Sequence, residues 1–333
     1  MNARRTSSVV AILALAVSAC GGAAIPGATS ASPGAIKAPQ SFVIAYQPGI
    51  GYAPLLVMEQ QKMIENDFPN TKVQYMLLSN GDAIRDGIIA GQIQVGSGGV
   101  GPFLVGWAKG VDYQLIASMD KMDLWLNVMD PKIKSVKDLK PGMKVASPAI
   151  DSIQAIVFRK QVETDLGDAH KLDSDLVAMS HPDGLQNLLS GSINAHYTSP
   201  PFQFQEVDKG AHTIAHSYDA MGPSTFNSVF TSKKFYSDYP QFMEKFYGYM
   251  QKADKMIKSD PAGAATLVAT ADGKPELAAQ YKDWMTRQGV AYDTVPAGFL
   301  KYAAFMKKIG FIDKTPASIK DLELPFLQKA GGS

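Results

Sequence analysis

Gln92-Ile93-Gln94-Val95-Gly96-Ser97-Gly98-Gly99-Val100-Gly101-Pro102 holds the end of a strand and the start of a helix in one short run. Ile93-Gln94-Val95 alternates apolar and polar side chains as a half-buried strand does, and Phe103 to Lys109 reads as the helix behind it. Gly98 to Pro102 joins the two. Glycines let a ligand approach the backbone, and proline suits a first helical turn, where its missing N–H costs nothing. A strand running at once into a Gly-rich helix start is the repeating unit of an α/β protein with a mainly parallel sheet.

The same unit recurs on both sides. Upstream, Phe42 to Tyr46 reads as a strand, followed by a Pro48-Gly49 turn and an apolar-faced helix from Tyr52 to Ile64. Val73 to Leu78 is the next strand, and Asp82 to Ala90 the next helix, with Ser79 or Asn80 placed to cap it. Tyr113 to Ala117 adds a strand. A second series starts with Lys144-Val145-Ala146 and a helix from Ser152 to Thr164. Leu176 to Met179 is a strand, Asp183 caps a short helix ending at Ser190-Gly191, and Ile193 to Tyr197 leads into Thr198-Ser199-Pro200-Pro201. Ala211 to Tyr218 reads as a short strand, as does Ser228 to Thr231. Lys234 to about Lys308 reads as helical, with breaks at Pro261, Gly273 and Pro296.

The N-terminus reads as an export signal. Arg4 and Arg5 precede an apolar run from Val9 to Ala19 that is too short to span a bilayer. Val17-Ser18-Ala19-Cys20 matches a bacterial lipobox, and Cys20, the chain's single cysteine, is the expected site of lipidation. Fifteen of the residues from Gly21 to Gln40 are Gly, Ala, Ser or Pro, which reads as a flexible tether reaching roughly 25 Å. The expected organisation is a signal peptide at 1–19, a tether at 20–40, lobe one at 41–130 and 224–333, and lobe two at 131–223. The exported protein would be held to the membrane by its lipid alone, in a periplasm or on the outer face of the cytoplasmic membrane.

Composition closes off several function classes. With 46% hydrophobic and 19% charged residues, the chain is of ordinary globular make-up. The formal charge is +1, and removal of Arg4 and Arg5 leaves −1, with no basic stripe to hold nucleic acid. A lone N-terminal cysteine provides neither a disulfide framework nor a thiolate metal site. Of the five histidines only His212 and His216 have a metal-like spacing, and they fall on a strand. No metal and no cofactor is expected. The fifteen methionines form no clustered copper motif and read as core filling.

Several pieces, taken in order, resemble the nitrate/sulfonate/taurine-type substrate-binding proteins of bacterial ABC importers. They are Gly49 to Leu56, Gly91 to Gly96, Ser135 to Ala146, Leu188 to Ala195, Phe230 to Tyr236 and Lys307 to Ile312. The resemblance implies a two-lobed periplasmic binding protein fold of type II: two mainly parallel sheets flanked by helices, with a ligand cleft between the lobes. It implies a monomeric receptor that carries a small molecule to an ABC permease with a cytoplasmic ATPase. The family also resembles pyrimidine-precursor synthases, which rely on a cysteine-rich motif that this chain lacks.

Ligands of open α/β sheets sit beyond the carboxyl ends of the strands, where helix starts present unsatisfied N–H groups to an anion. The expected ligand residues are therefore Gly49, Tyr52, Asn80, Gly98, Gly99, Val100, Asp151, Ser152, Thr198, Ser199 and Phe226. Each hydroxyl among them is equally placed as a plain helix cap. Asp82, Asp120, Asp123, Asp151 and Asp183 lie in the strand-end loops, where only Lys121 and His181 could be cationic. No bidentate arginine clamp is present. Tyr46, Tyr52, Tyr197, Phe202 and Phe226 near the strand and helix ends suit a partly apolar organic molecule or flat heterocycle. The expected ligand is a sulfonate, a carboxylate or a related anion, with a neutral or zwitterionic heterocycle such as a pyrimidine as the alternative.

One enzymatic reading competes. Gly96, Gly98 and Gly101 match a dinucleotide fingerprint, with Asp120 nineteen residues beyond Gly101 where a ribose-binding acid would fall. It sits in the third βα unit of its lobe, and an exported protein meets little dinucleotide. The chain carries no Gly-x-Ser-x-Gly elbow, no His-Glu-x-x-His and no Gly-Lys-Ser/Thr phosphate loop. The expectation is a binding protein without chemistry of its own.

Overall fold

The computed structural model of the protein describes residues 36–329. The signal sequence, Cys20 and most of the tether lie outside the described residues. The last tether residues do not hang free: Ile36 and Ala38 pack on the core, and Thr71 Oγ1 donates to the Pro39 carbonyl at 2.8 Å. The folded body therefore starts at about Ile36, a few residues before the expected boundary at 40.

Strands β1 (Ser41–Tyr46), β2 (Lys72–Leu77), β3 (Val95–Gly99) and β4 (Tyr113–Ser118) build the first lobe. The chain then passes through β5 (Asp120–Met122) into β6 (Trp125–Val128), β7 (Val145–Ser147), β8 (Leu176–Ala178), β9 (Ala195–Thr198) and β10 (His212–His216) of the second lobe. It returns as β11 (Asn227–Ser232), and β12 (Val290–Tyr292) pairs with β5. The first sheet has the order β2-β1-β3-β11-β4 and the second β10-β6-β9-β7-β8.

Numbered within each lobe, the two orders are the same: second, first, third, a crossing strand, fourth. In each sheet the first three strands run parallel and the crossing strand, β11 or β6, runs antiparallel between its neighbours. Each lobe thus completes its sheet with a strand contributed where the chain changes lobe. The first crossing occupies Met119 to Leu124, because Trp125–Val128 already pairs in the second sheet; it comes before residue 130, where the sequence reading put it.

Local chemistry sets most elements. Asn80, rather than Ser79, caps the helix Gly81–Ile89 by accepting from Ala83 N at 3.0 Å. Ser180, rather than Asp183, caps His181–Leu189; Asp183 sits in the first turn and accepts from Ser180 Oγ at 2.5 Å. The helix expected over 52–64 is split, with Ala53–Gln60 and Met63–Asp67 separated by Lys62 at φ 48°. The helical C-terminal stretch breaks into Lys233–Asp238, Pro240–Ser259, Pro261–Ala271, Ala278–Thr286 and Phe299–Lys308, with β12 as an unexpected strand among them.

The glycines of the opening stretch serve packing first. Gly96 and Gly98 lie inside β3, not in a turn. A Cβ on Gly96 would come within 2.5–2.9 Å of Ile88, Ile84 and Phe230, so glycine there lets the helix Gly81–Ile89 and strand β11 close on β3. A dinucleotide fingerprint needs its glycines in the strand-to-helix turn. Asp120, the other half of that reading, is fully buried against Asn227. The geometry removes the dinucleotide reading.

Candidate functional site

Six helices start at one cleft. In the first lobe the helices beginning at Ala53, Gly81 and Val100 follow β1, β2 and β3; in the second, those beginning at Ile153, His181 and Phe202 follow β7, β8 and β9. Tyr52, Gly81, Gly99, Ser152, His181 and Ser199, each at or within three residues of one of these starts, line a common chamber between the lobes. The first turn carries the positive end of a helix dipole, so all six starts favour the same ligand charge. Each start already has one N–H bonded: Ala53 to Ile50, Ala83 to Asn80, Val100 to Phe226, Ala155 to Ser152, Asp183 to Ser180 and Gln203 to Ser199.

The chamber is small and uncharged. Its space is about 30 Å³, room for about two water-sized bodies. Gln47, Pro48, Ser79, Pro102, Pro148, Ala149, Ile153, Gln154, Phe226 and Asn227 complete its wall, and none of the lining residues is Lys, Arg, Asp or Glu.

Of the residues read from the sequence, Tyr52, Gly99, Ser152, Ser199 and Phe226 line this chamber. The other six stand beside it. Gly49, at φ 132°, leaves room that a Cβ would fill, 3.2 Å from the Pro200 carbonyl of the other lobe, and it lines a second cavity. Asn80 is spent on its cap. Gly98 lies behind the wall, where a Cβ would meet Gln47 Nε2 at 3.0 Å. Val100 is buried, and its N–H bonds the Phe226 carbonyl at 3.3 Å, which takes this first-turn donor away from a ligand. Asp151 faces Arg85 across the lobes at 3.7 Å. Burial pushes its carboxyl up, helped by Asp82 and opposed by Arg85. Thr198 is fully buried, with Oγ1 3.0 Å from His181 Nδ1.

His181 is the main correction. It lines the chamber as expected of a possible cation, but burial, aided by His196, holds its pKa well below the usual value, so it is neutral. Its Nε2 lies 3.2 Å from Gln154 Nε2 and 3.1 Å from Ser199 Oγ. An amide nitrogen only donates, so Nε2 accepts and Nδ1 carries the proton toward Thr198. Lys121 is elsewhere, paired with Asp293 at 2.5 Å.

A second relay backs the chamber. Tyr52 Oη donates to Asn227 Oδ1 at 3.1 Å, and Asn227 N and Nδ2 both donate to Asp120 at 3.1 Å. Burial pushes the Asp120 carboxyl up to about 8 against the pull of these bonds. The sequence reading missed Gln47, Gln154 and Asn227. Each is an amide adjoining or one turn from an identified loop residue, and no pattern separates such an amide from a surface one.

Among the expected aromatics, Tyr197 is core, whereas Tyr46 and Phe202 line the second cavity. His212 donates to the Ile133 carbonyl side at 2.7 Å, and His216 pairs with Asp123 at 2.6 Å, so the two histidines do not face a shared ligand. Among the described residues no group of three or more His, Cys, Asp or Glu side chains could hold a metal, and no helix is long and apolar enough to cross a membrane.

Two sheets of matching order with a cleft at the carboxyl ends of their strands define a two-lobed periplasmic binding protein fold. The chain belongs to the NMT1-like family, which it matches over residues 37–272. Among solved structures it is similar to the alkanesulfonate-binding protein SsuA from Xanthomonas axonopodis pv. citri bound to MOPS, at 18% identity and TM-score 0.68, covering 83% of this chain and 95% of that one. It is also similar to the aliphatic sulphonate binding protein SsuA from Escherichia coli, at 18% identity and TM-score 0.65, covering 86% and 92%. The nitrate-binding protein NrtA from Synechocystis PCC 6803 aligns at 11% identity and TM-score 0.71, covering 87% and 88%. A search of curated proteins finds no match. Each of these three neighbours is a solute-binding protein.

Proposed function

We propose that the protein is the extracytoplasmic receptor of an ABC importer, capturing a small organic anion between its lobes and delivering it to a permease. The observation that carries this reading is the convergence of six helix starts, three from each lobe, on a chamber without a cationic side chain. Such a site holds a sulfonate, nitrate or carboxylate group through backbone N–H groups and dipoles, without a bidentate arginine. Because the walls come from both lobes, the ligand stabilises the closed arrangement and shifts the population toward it. A closed, ligand-bound form would dock on the permease, while Cys20, lipidated, would keep the receptor at the membrane as a monomer.

A second reading has its own support. Gln47, Gln154, Asn227, Tyr52 and a neutral His181 provide donors and acceptors without charge, which suits the polar edge of a neutral heterocycle such as a pyrimidine. A thermal-shift screen with methanesulfonate, nitrate, acetate and hydroxymethylpyrimidine separates the two, since a ligand of the folded state raises its melting temperature. Protection by the anions alone supports the first reading, protection by the pyrimidine alone the second, and protection by neither removes both.

A further inference from the structure

Beside the chamber lies a second and much larger cavity between the lobes, of about 670 Å³. The two are neighbours across a thin partition. Pro48 lines both, and Phe202 of the larger cavity stacks on His181 of the smaller at 5.5 Å and 20°. The partition is completed by Gly49, whose position approaches the Pro200 carbonyl.

The contrast between the two walls is chemical. The small chamber is lined by hydroxyls, amides and helix starts. The large cavity is walled by Tyr46, Leu77, Leu185, Phe202, Tyr281 and Trp284, while its charged lining residues, Lys209, Asp272 and Lys274, are exposed at its rim. Leu77, the last residue of β2, is 56% exposed where it lines this cavity. Trp284 is 4% exposed, and its indole N–H has no partner. A buried donor without an acceptor is costly and marks a place where a partner belongs.

We infer that the large cavity is a second subsite, which takes the flat aromatic body of a ligand whose anionic head occupies the small chamber. This deepens the receptor reading and rests on it. The substrate class is an aryl sulfonate or aryl carboxylate: the small chamber admits little more than a head group, and the cavity beside it falls within the size range of small-molecule sites. Rotation of Phe202 off His181 joins the two spaces. Ring burial against these walls adds affinity that a methyl group cannot reach, at least about thirtyfold.

Calorimetry with methanesulfonate, benzenesulfonate and benzyl alcohol, on wild type and Leu77→Asp, tests this. Leu77→Asp sets a carboxylate at an exposed position of the aromatic wall, so the fold survives it. Expected is benzenesulfonate binding at least about thirtyfold tighter than methanesulfonate in the wild type, with most of that advantage lost in L77D and methanesulfonate unchanged. Trp284, one of three tryptophans, should report the aromatic ligand through a fluorescence change that W284F removes. Equal affinity for the two sulfonates overturns the aromatic subsite and leaves the anion receptor standing. Benzyl alcohol binding as tightly as benzenesulfonate keeps the aromatic cavity and overturns the anionic head. No binding of any probe overturns both.

Discussion

The Cβ that Gly101 lacks would stand 2.4 Å from the carbonyl oxygen of Asp151. The first residue belongs to a helix of lobe one and the second to the loop after β7 in lobe two, so backbone meets backbone across the cleft. Gly101→Ala should act on closure alone. Alanine favours a helix over glycine by about 1 kcal/mol, so the separate lobe is not weakened. The expected result is an unchanged or raised melting temperature without ligand, and affinity for any protecting solute lowered at least about tenfold. Scattering of the ligand-mixed variant should show no compaction. Wild-type affinity would mean that the lobes close elsewhere.

Asp120 makes stability depend on pH. Its carboxyl is raised from 3.8 to about 8, so the folded protein holds a proton that the unfolded chain releases across that window. More protons bound when folded means that stability falls as pH rises from about 4 to about 8. Asp120→Asn keeps the side chain neutral and should flatten the decline in melting temperature measured over about pH 5 to 9. His170 and His216, each raised mainly by an aspartate hydrogen bond, contribute a decline of the same sign and remain in the variant. The difference between the two curves is therefore the signal. Parallel curves would show that Asp120 is ionised in the fold throughout.

The two-lobed α/β class was legible because the βα units carry their own local signals: a short, largely apolar stretch, then a turn, then a cap such as Asn80 or Ser152. Strands β5 and β12 were not, since three residues of ordinary composition pair only because the crossing brings them together. The site was half legible for a related reason. Helix starts announce themselves through glycine, serine and proline, which brought out Gly99, Ser152 and Ser199. What the sequence does not carry is the direction of a side chain. Asp151 and Thr198 sit in the right loops but turn toward Arg85 and His181. Asn227 enters the wall through its bonds to Asp120 and Tyr52, partners 107 and 175 residues away.

The membrane anchor has a direct test. Cys20 is the single thiol and ends a lipobox-like tetrad. Cys20→Ala should move the protein from the membrane fraction to the soluble one, with the solute affinity of the body unchanged. Retention equal to wild type would remove lipidation from the proposal.

Thr198 and Ser199 are adjacent hydroxyls with different jobs, and their variants should separate. Thr198 faces the protonated Nδ1 of His181 and does not line the chamber. Thr198→Val leaves that buried N–H without an acceptor, at a stability cost of about 1–3 kcal/mol. The melting temperature should drop by a few degrees, while affinity changes only as far as His181 tilts. Ser199 lines the chamber, and His181 Nε2 keeps Gln154 as a donor when the serine hydroxyl is removed. Ser199→Ala should hold its melting temperature and bind a protecting solute several-fold more weakly, the loss of about one neutral hydrogen bond of 0.5–1.5 kcal/mol. Thermal shift and calorimetry on the pair decide it: equal destabilisation with equal affinities would mean that neither hydroxyl meets the ligand and that the chamber wall lies on the Gln47 side.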